Sequence, residues 1–434
     1  MPENYSCSDA GKSQYLRPFL AFMVLALFST AVTAFEWQDR RRDQFGRDFS
    51  YFLYPIAGDI PGLGSAAGIG ATILNINDSD LDFTGFNVKG DFDAAGYTFL
   101  DYHILKNRLI FDVGYYTYNV APIAYKRGIN SDKDDYILPK AEGAYTEGQL
   151  TLSFMERKFE TYLRYGAGKQ RLLQVLDKNG EEYAAVDSSY RHGARYSLGA
   201  IVDDTDDRLD PRKGYRFEVA LNQDSNNDAL RSDYYVSDYN FTAYFPMRSN
   251  DTLALNLFRS DAHVTHRVTA DFDTLRAERG LGCDQLAPGP DKDNCLATET
   301  DHIDQIIASN SYGNARSLGG TQRLRSFANN RYYAGHSFFY GAEYRWNLRD
   351  ERTPFNIYIA KGIRTGMQLA FFVEQGSVAD RSSELFDNLK TSYGMGFRLV
   401  LSGVIIRADV SSGTEGSEFV LFINYPWSMF SVDS

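Results

Sequence analysis

Several groups of side chains in this sequence are of types that support chemistry, and their spacing decides which could act together. His263 and His266, close to Asp261, offer part of a metal-ligand set, but no further strong ligand follows at zinc-like spacing. Asp203, Asp204, Asp206, Asp207 and Asp210 gather carboxylates as a Ca²⁺ loop does. The glycine and terminal Glu of a helical calcium loop are missing, so a solvated turn is expected. The run from Gly62 to Gly70 has a phosphate-loop look. However, Ala67 occupies the third glycine position and an alternating segment follows where a helix is needed, so strand glycines packed within a wall are expected. No Gly-x-Ser-x-Gly elbow occurs, and spacing places no Ser/His pair on one patch. The expectation is a protein that is not an enzyme and uses no metal or cofactor.

The elements that must carry these groups are strands. Alternation of period two dominates from about Phe49 to the end. In 366–376, Met367, Leu369, Phe371 and Val373 share one face, and Gln368, Phe372 and Glu374 the other. In 337–348, Phe338, Tyr340, Tyr344 and Trp346 oppose Gly341, Glu343 and Arg345. Likewise Val404, Ile406, Ala408 and Val410 oppose Arg407 and Asp409. Sixteen such segments fall near 48–57, 65–76, 81–91, 95–104, 107–119, 144–155, 158–170, 193–203, 214–223, 232–246, 250–263, 337–348, 366–376, 392–401, 403–411 and 418–426. Short connectors such as 245–250 and 347–354 alternate with long polar ones at 120–143, 171–192 and 264–336. That asymmetry, with apolar faces rich in Tyr, Phe and Trp, predicts an all-β, sixteen-stranded antiparallel transmembrane β-barrel. A soluble sandwich would also alternate, but it would expose its polar faces and blunt its edges.

Composition limits the alternatives. The 434 residues carry 45 Lys+Arg against 57 Asp+Glu, a net charge of −12, which argues against a nucleic-acid surface. Tyr and Phe number 30 each, which rules out a disordered chain. No apolar run reaches the roughly 20 residues of a spanning helix. Lys12 and Arg17, the apolar stretch 19–28, and Val32 and Ala34 before Phe35 read as a cleaved secretory signal peptide over 1–34. Cys7 would leave with it. Cys283 and Cys295 remain as an even pair in an exported, turn-rich segment, which predicts a disulfide.

The stretch 319–327, Gly-Gly-Thr-Gln-Arg-Leu-Arg-Ser-Phe, together with Gly341-Ala-Glu-Tyr-Arg345 and Phe372-Val-Glu-Gln-Gly376, resembles the BamA/TamA-like outer-membrane superfamily, the bacterial surface antigens. The resemblance implies a long sixth extracellular loop, about 264–336, folded into the lumen. It also implies that an Arg-Gly-Phe/Tyr tip meets acidic residues on strands twelve and thirteen. Arg325 and Phe327 stand at the tip positions, Gly319 and Gly320 precede them, and Glu343, Arg345 and Glu374 match the strand patterns. Glu343 and Arg345, two residues apart, share a face, and Glu374 shares the lumen face of Gln368. A lumen carboxylate can take a planar guanidinium in a bidentate contact, so an Arg325–Glu374 lock is expected.

Asp203 to Tyr215 is similar to the family's aspartate-rich turn before a Lys-Gly-Tyr strand start. The end of the chain resembles its closing strand and assembly signal, the signal residues being Phe419, Leu421, Ile423, Tyr425 and Trp427. The sequence departs from the family at Ser326, where Gly is usual, and residues 428–434 run past the expected terminal aromatic. Residues 35–47 read as a short periplasmic segment, too short for POTRA domains, and 48–434 as the barrel. The implied localisation is the bacterial outer membrane. The implied partners are its lipid and, during biogenesis, the barrel assembly machinery. A loop-gated pore or transport channel is the leading expectation; an insertion or translocation factor with a lateral seam, or a structural surface antigen, stand beside it.

Overall fold

The computed structural model describes residues 48–182, 188–225, 228–248, 250–401 and 404–429. The signal peptide expected over 1–34 and the segment 35–47 lie outside the described residues.

Sixteen long strands run in chain order: β1 (Ser50–Ile60), β2 (Gly64–Leu74), β3 (Asp82–Gly90), β4 (Asp93–Leu105), β5 (Leu109–Val120), β6 (Tyr136–Phe154), β7 (Phe159–Leu176) and β8 (Arg191–Asp203), then β9 (Gly214–Asp224), β10 (Asp233–Met247), β11 (Asp251–His266), β12 (His336–Ile357), β13 (Ala360–Ala379), β14 (Lys390–Leu401), β15 (Val404–Gly413) and β16 (Gly416–Ile423). Each pairs antiparallel with its chain neighbours, and β16 returns to β1, so the sheet is a closed antiparallel barrel. A two-residue strand, Ala124–Tyr125, pairs with the start of β6 in the loop before it.

Alternation sets the two faces, as a pleated strand requires. Leu163, Tyr165, Tyr196, Leu198, Leu257, Trp346, Phe371, Val373, Met395 and Val410 are exposed on the outer wall. Their strand neighbours Phe258, Glu343, Glu374, Arg398, Arg407 and Asp409 are buried. No helix among the described residues is long and apolar enough to cross a membrane.

Some boundaries differ from the sequence reading. The segments expected at 144–155 and 158–170 extend to Tyr136 and Leu176, because the polar residues there still pair across the β6–β7 ladder. The connector expected at 347–354 is strand: β12 and β13 run on to a turn at 358–359. Register shifts between Asn347/Arg349 and Glu351/Phe355 let the ladder pass Pro354, which has no N–H to donate. This hairpin extension pairs with the start of β1, with Tyr51 opposite Lys361 and Phe52 opposite Ala360.

The loop from 267 to 335 contains two helices, α1 (Phe272–Arg279) and α2 (Pro290–Tyr312), in place of an irregular polar segment. Asp271 caps α1 by accepting from the Thr274 amide, and Pro290 at the start of α2 gives up an N–H that has no helical partner. Cys283, in a short turn between the helices, is disulfide-bonded to Cys295 of α2, and both are buried with Leu281.

Candidate functional site: a buried charge cluster against the inner wall

After α2 the chain crosses the inward faces of β10 to β13. Leu318, Leu324, Phe327, Tyr332 and Ala334 form one buried apolar cluster with Tyr244, Ala254, Phe258, Phe339, Val378 and Trp427. Gly319 and Gly320 make the turn into it with φ of +110° and +94°, and a Cβ on either would collide with Ala328 O at 2.2 Å or Asn329 Oδ1 at 2.5 Å. The departure at Ser326 has a local solution. The left-handed residue at the tip is Leu324, with φ +53°, and Ser326 stays out of that region while its amide donates to Ser392 Oγ at 3.0 Å.

The apolar turn delivers Arg325 to a set of acids. Its Nε donates to Glu374 Oε1 at 2.9 Å and its amide to Glu374 Oε2 at 3.0 Å. Its Nη1 donates to Glu343 Oε2 at 3.0 Å and to Asp409 Oδ2 at 2.9 Å. The guanidinium carbon lies 3.4 Å from the Phe372 ring centre, and Ser411 Oγ donates to the Arg325 carbonyl at 2.8 Å. The structure therefore brings Arg325, Phe327, Glu343, Arg345 and Glu374 together; Arg345 Nε donates to Glu343 Oε1 at 2.9 Å.

Three members were not assigned from the sequence. Arg398 on β14 and Arg407 and Asp409 on β15 complete the cluster: Arg398 Nη2 donates to Glu343 Oε2 at 3.1 Å, Arg398 also reaches Asp409, and Arg407 Nη1 donates to Asp409 Oδ2 at 2.8 Å. Their alternation marks them as inward-facing, but no local spacing joins them to residue 325. One signal was present. Gly413 on β15 stands where a Cβ would meet Ser326 Oγ at 2.3 Å, so the strand is kept bare where the tip arrives.

Arg325, Arg345, Arg398 and Arg407 thus oppose Glu343, Glu374 and Asp409, with side chains at most 2% exposed. Removing one partner from such a cluster leaves a buried charge uncompensated, at a cost of about 3–5 kcal/mol. Arginine suits the central position because its planar fork serves several acceptors at once.

The end of the chain corrects another expectation. Phe419, Leu421 and Ile423 lie on β16, but Tyr425 and Trp427 do not continue it. Asn424 takes φ +75°, which Asn tolerates, and Pro426 offers no N–H to a ladder. The tail turns inward. Tyr425 OH donates to Asp210 Oδ1 at 2.6 Å, its oxygen lies 2.9 Å from Gln368 Oε1, and its ring lies 3.8 Å from the Arg345 guanidinium carbon. Trp427, 2% exposed, donates from Nε1 to Glu374 Oε1 at 3.0 Å and from its amide to Gln322 O at 3.3 Å. Arg323 Nη2 and Asn240 Nδ2 both donate to the Trp427 carbonyl.

The aspartate-rich turn is also not solvated throughout. Asp203 and Asp210 are buried, Asp203 on Arg216 at 2.6 Å and Asp210 on Arg212 at 2.8 Å, while Asp206 accepts from the amides of Arg212 and Lys213. Asp261 pairs with Arg259 and His336, and His263 stacks on Tyr235 and meets Ser237 Oγ at 3.0 Å. In the glycine run, Gly68 lies where a Cβ would meet Asn87 O at 1.8 Å, a close approach of neighbouring strands.

No protein-family model matches the sequence, and no curated protein matches it. Among solved structures, BamA from Haemophilus ducreyi lacking POTRA domains 1–3 matches at 12% identity, over 86% of this chain and 68% of that one, with a TM-score of 0.47. CdiB from Acinetobacter baumannii matches at 12% identity, over 86% and 59%, with a TM-score of 0.47. CdiB from Escherichia coli matches at 10% identity, over 86% and 62%, with a TM-score of 0.48. The match spans about three fifths of each CdiB chain and about two thirds of the BamA chain.

Proposed function

We propose that the protein is a bacterial outer-membrane barrel of the BamA-like superfamily acting as a pore or transport channel, with the 315–334 segment as its gate. The observation that carries this reading is Arg325, wholly buried and shared among Glu343, Glu374 and Asp409 of three different strands. The outer wall of exposed Leu, Phe, Tyr and Trp supports membrane insertion, since a soluble barrel would not present that belt to water. The tail at 424–429 adds a second stopper on the same carboxylate. The test is single-channel conductance of the refolded barrel in a planar bilayer, beside Arg325→Ala. Steps that grow larger or more frequent in the variant support the gate, and a silent pair of folded proteins overturns the pore.

A second reading, an insertion or translocation factor, rests on the seam. β1 and β16 meet at a single registered position among the described residues, Asp59 opposite Leu421, whereas β15 and β16 pair continuously from Ile406/Ile423 to Gly413/Gly416. A seam so short could admit a client strand edge to edge. Cross-linking it through Asp59→Cys and Leu421→Cys leaves a pore conducting and stops a translocation factor.

A further inference from the structure

We infer that the outer wall across β5 to β8 carries a binding site for a phosphorylated lipid of the outer leaflet, with acyl chain and headgroup held by separate residues. The inference rests on the membrane reading above. It starts from a recess of about 520 Å³ whose lining includes Ala144, Thr146, Ala167 and Ala194 between the Tyr115 and Tyr165 rings. These residues lie on the outward face. Tyr115 registers on Thr146, Thr146 on Ala167 and Ala167 on Ala194, in line with exposed Leu163, Tyr165, Tyr196 and Leu198 on the same strands. A row of small side chains leaves this recess open between the two rings. Tyr165 lines the recess, and its ring packs on exposed Tyr196 with centres 5.1 Å apart.

The charge above the slot has the sign a phosphate needs. Lys169 lies four positions along β7 from Tyr165, about 13 Å at the rise of a strand, towards the end that bears the long loops. Lys169 registers on His192, and both line the recess. Arg171, two positions further, shares the outward face and pairs with Glu142 at 2.6 Å. Lys169 Nζ and the Arg171 guanidinium lie 4.9 and 4.8 Å from the Tyr190 ring centre, so that ring gathers two cations on one spot. Among the described residues, Arg171 of this pair of cations meets a carboxylate, Glu142, on a chain whose net charge is −12. Among the described residues, Lys169 has no acidic partner. A long cation at the membrane interface with an apolar slot beneath it complements an anionic headgroup on an acyl chain.

The test is native mass spectrometry of the full barrel released from detergent after exposure to diphosphoryl lipid A, with the dephosphorylated lipid as comparison. The wild type is expected to retain the phosphorylated lipid at least about tenfold more than the dephosphorylated one. Lys169→Glu with His192→Glu is expected to abolish that preference, and Ala167→Trp, which leaves the charge intact and fills the slot, to reduce retention of both lipids. Equal retention of the two lipids by the wild type, or a charge-reversed variant that binds as the wild type does, overturns the headgroup site. Undiminished retention by Ala167→Trp overturns the slot. Bilayer insertion of each variant is measured separately, so a barrel that inserts but does not select lipid counts against this site and not against the membrane reading.

Discussion

Arg325 and Trp427 converge on one oxygen: Arg325 Nε and Trp427 Nε1 donate to Glu374 Oε1 at 2.9 and 3.0 Å. The long loop and the end of the chain, far apart in sequence, are therefore held by the same carboxylate on β13. Loosening either releases part of what holds the other, because Glu374 loses a donor in a site closed to water.

Trp427→Phe retains most of the ring packing against Phe339 and deletes the indole N–H. Hydrogen bonds to charged groups are worth about 1.5–3 kcal/mol. The 315–334 segment should lose amide-exchange protection by roughly one order of magnitude or more, and full protection in this variant would show that the tail does not brace the loop.

Arg325→Lys separates charge from geometry. A lysine keeps the charge but cannot hold Glu374 and reach Glu343 and Asp409 with a planar fork. The variant should behave much closer to Arg325→Ala than to wild type in loop protection and in conductance. Wild-type behaviour with Lys would mean that net charge alone maintains the cluster.

Asp409→Asn tests a residue that the motif did not mark. Asp409 takes Arg325, Arg398 and Arg407 together, so neutralising it leaves buried guanidinium groups undercompensated. A loss of about 3–5 kcal/mol is expected, read as a lower midpoint in urea unfolding of the detergent-solubilised barrel. An unchanged midpoint would place the stabilisation on Glu343 and Glu374.

Replacing Cys283 and Cys295 by Ser removes a covalent link, with a sequence separation of 12, between the turn at Cys283–Gln285 and α2. Short closures of this kind stabilise by about 3 kcal/mol. The loss should be local: faster exchange in α1 and α2, with the barrel melting as before. A global fall in melting temperature would tie the helices to the wall more tightly than their contacts do.

His302 in α2 sets a pH dependence. Burial holds its pKa below the ordinary 6.5, against the opposing pull of Glu299. A histidine with a depressed folded pKa contributes stability that is fully present above its unfolded value and is lost as pH falls. Exchange protection of α2 should be constant above pH 6.5 and decline below it, and His302→Gln should flatten that decline. A decline of the same size in the variant would assign it to other groups.

The barrel is legible strand by strand in the residues. Period two is a property of the extended backbone, so each strand declares its two faces locally, and sixteen segments with alternating short and long connectors appear as sixteen strands. Where the reading stopped short, at 347–354, it was because Pro354 and the charged run around it look like a turn until bulges carry the ladder past them. Phe419 to Trp427 failed in the opposite sense. The alternation continues in composition after the strand has ended, and only the contacts with Asp210, Gln368 and Glu374 decide that Tyr425 and Trp427 turn inward. The charge cluster divides the same way. Motif positions marked Arg325, Glu343 and Glu374, but Arg398, Arg407 and Asp409 are joined to them by closure of the sheet around the loop. Which strands stand opposite a loop tip depends on the stagger of the whole barrel, a long-range quantity that no local run of residues encodes.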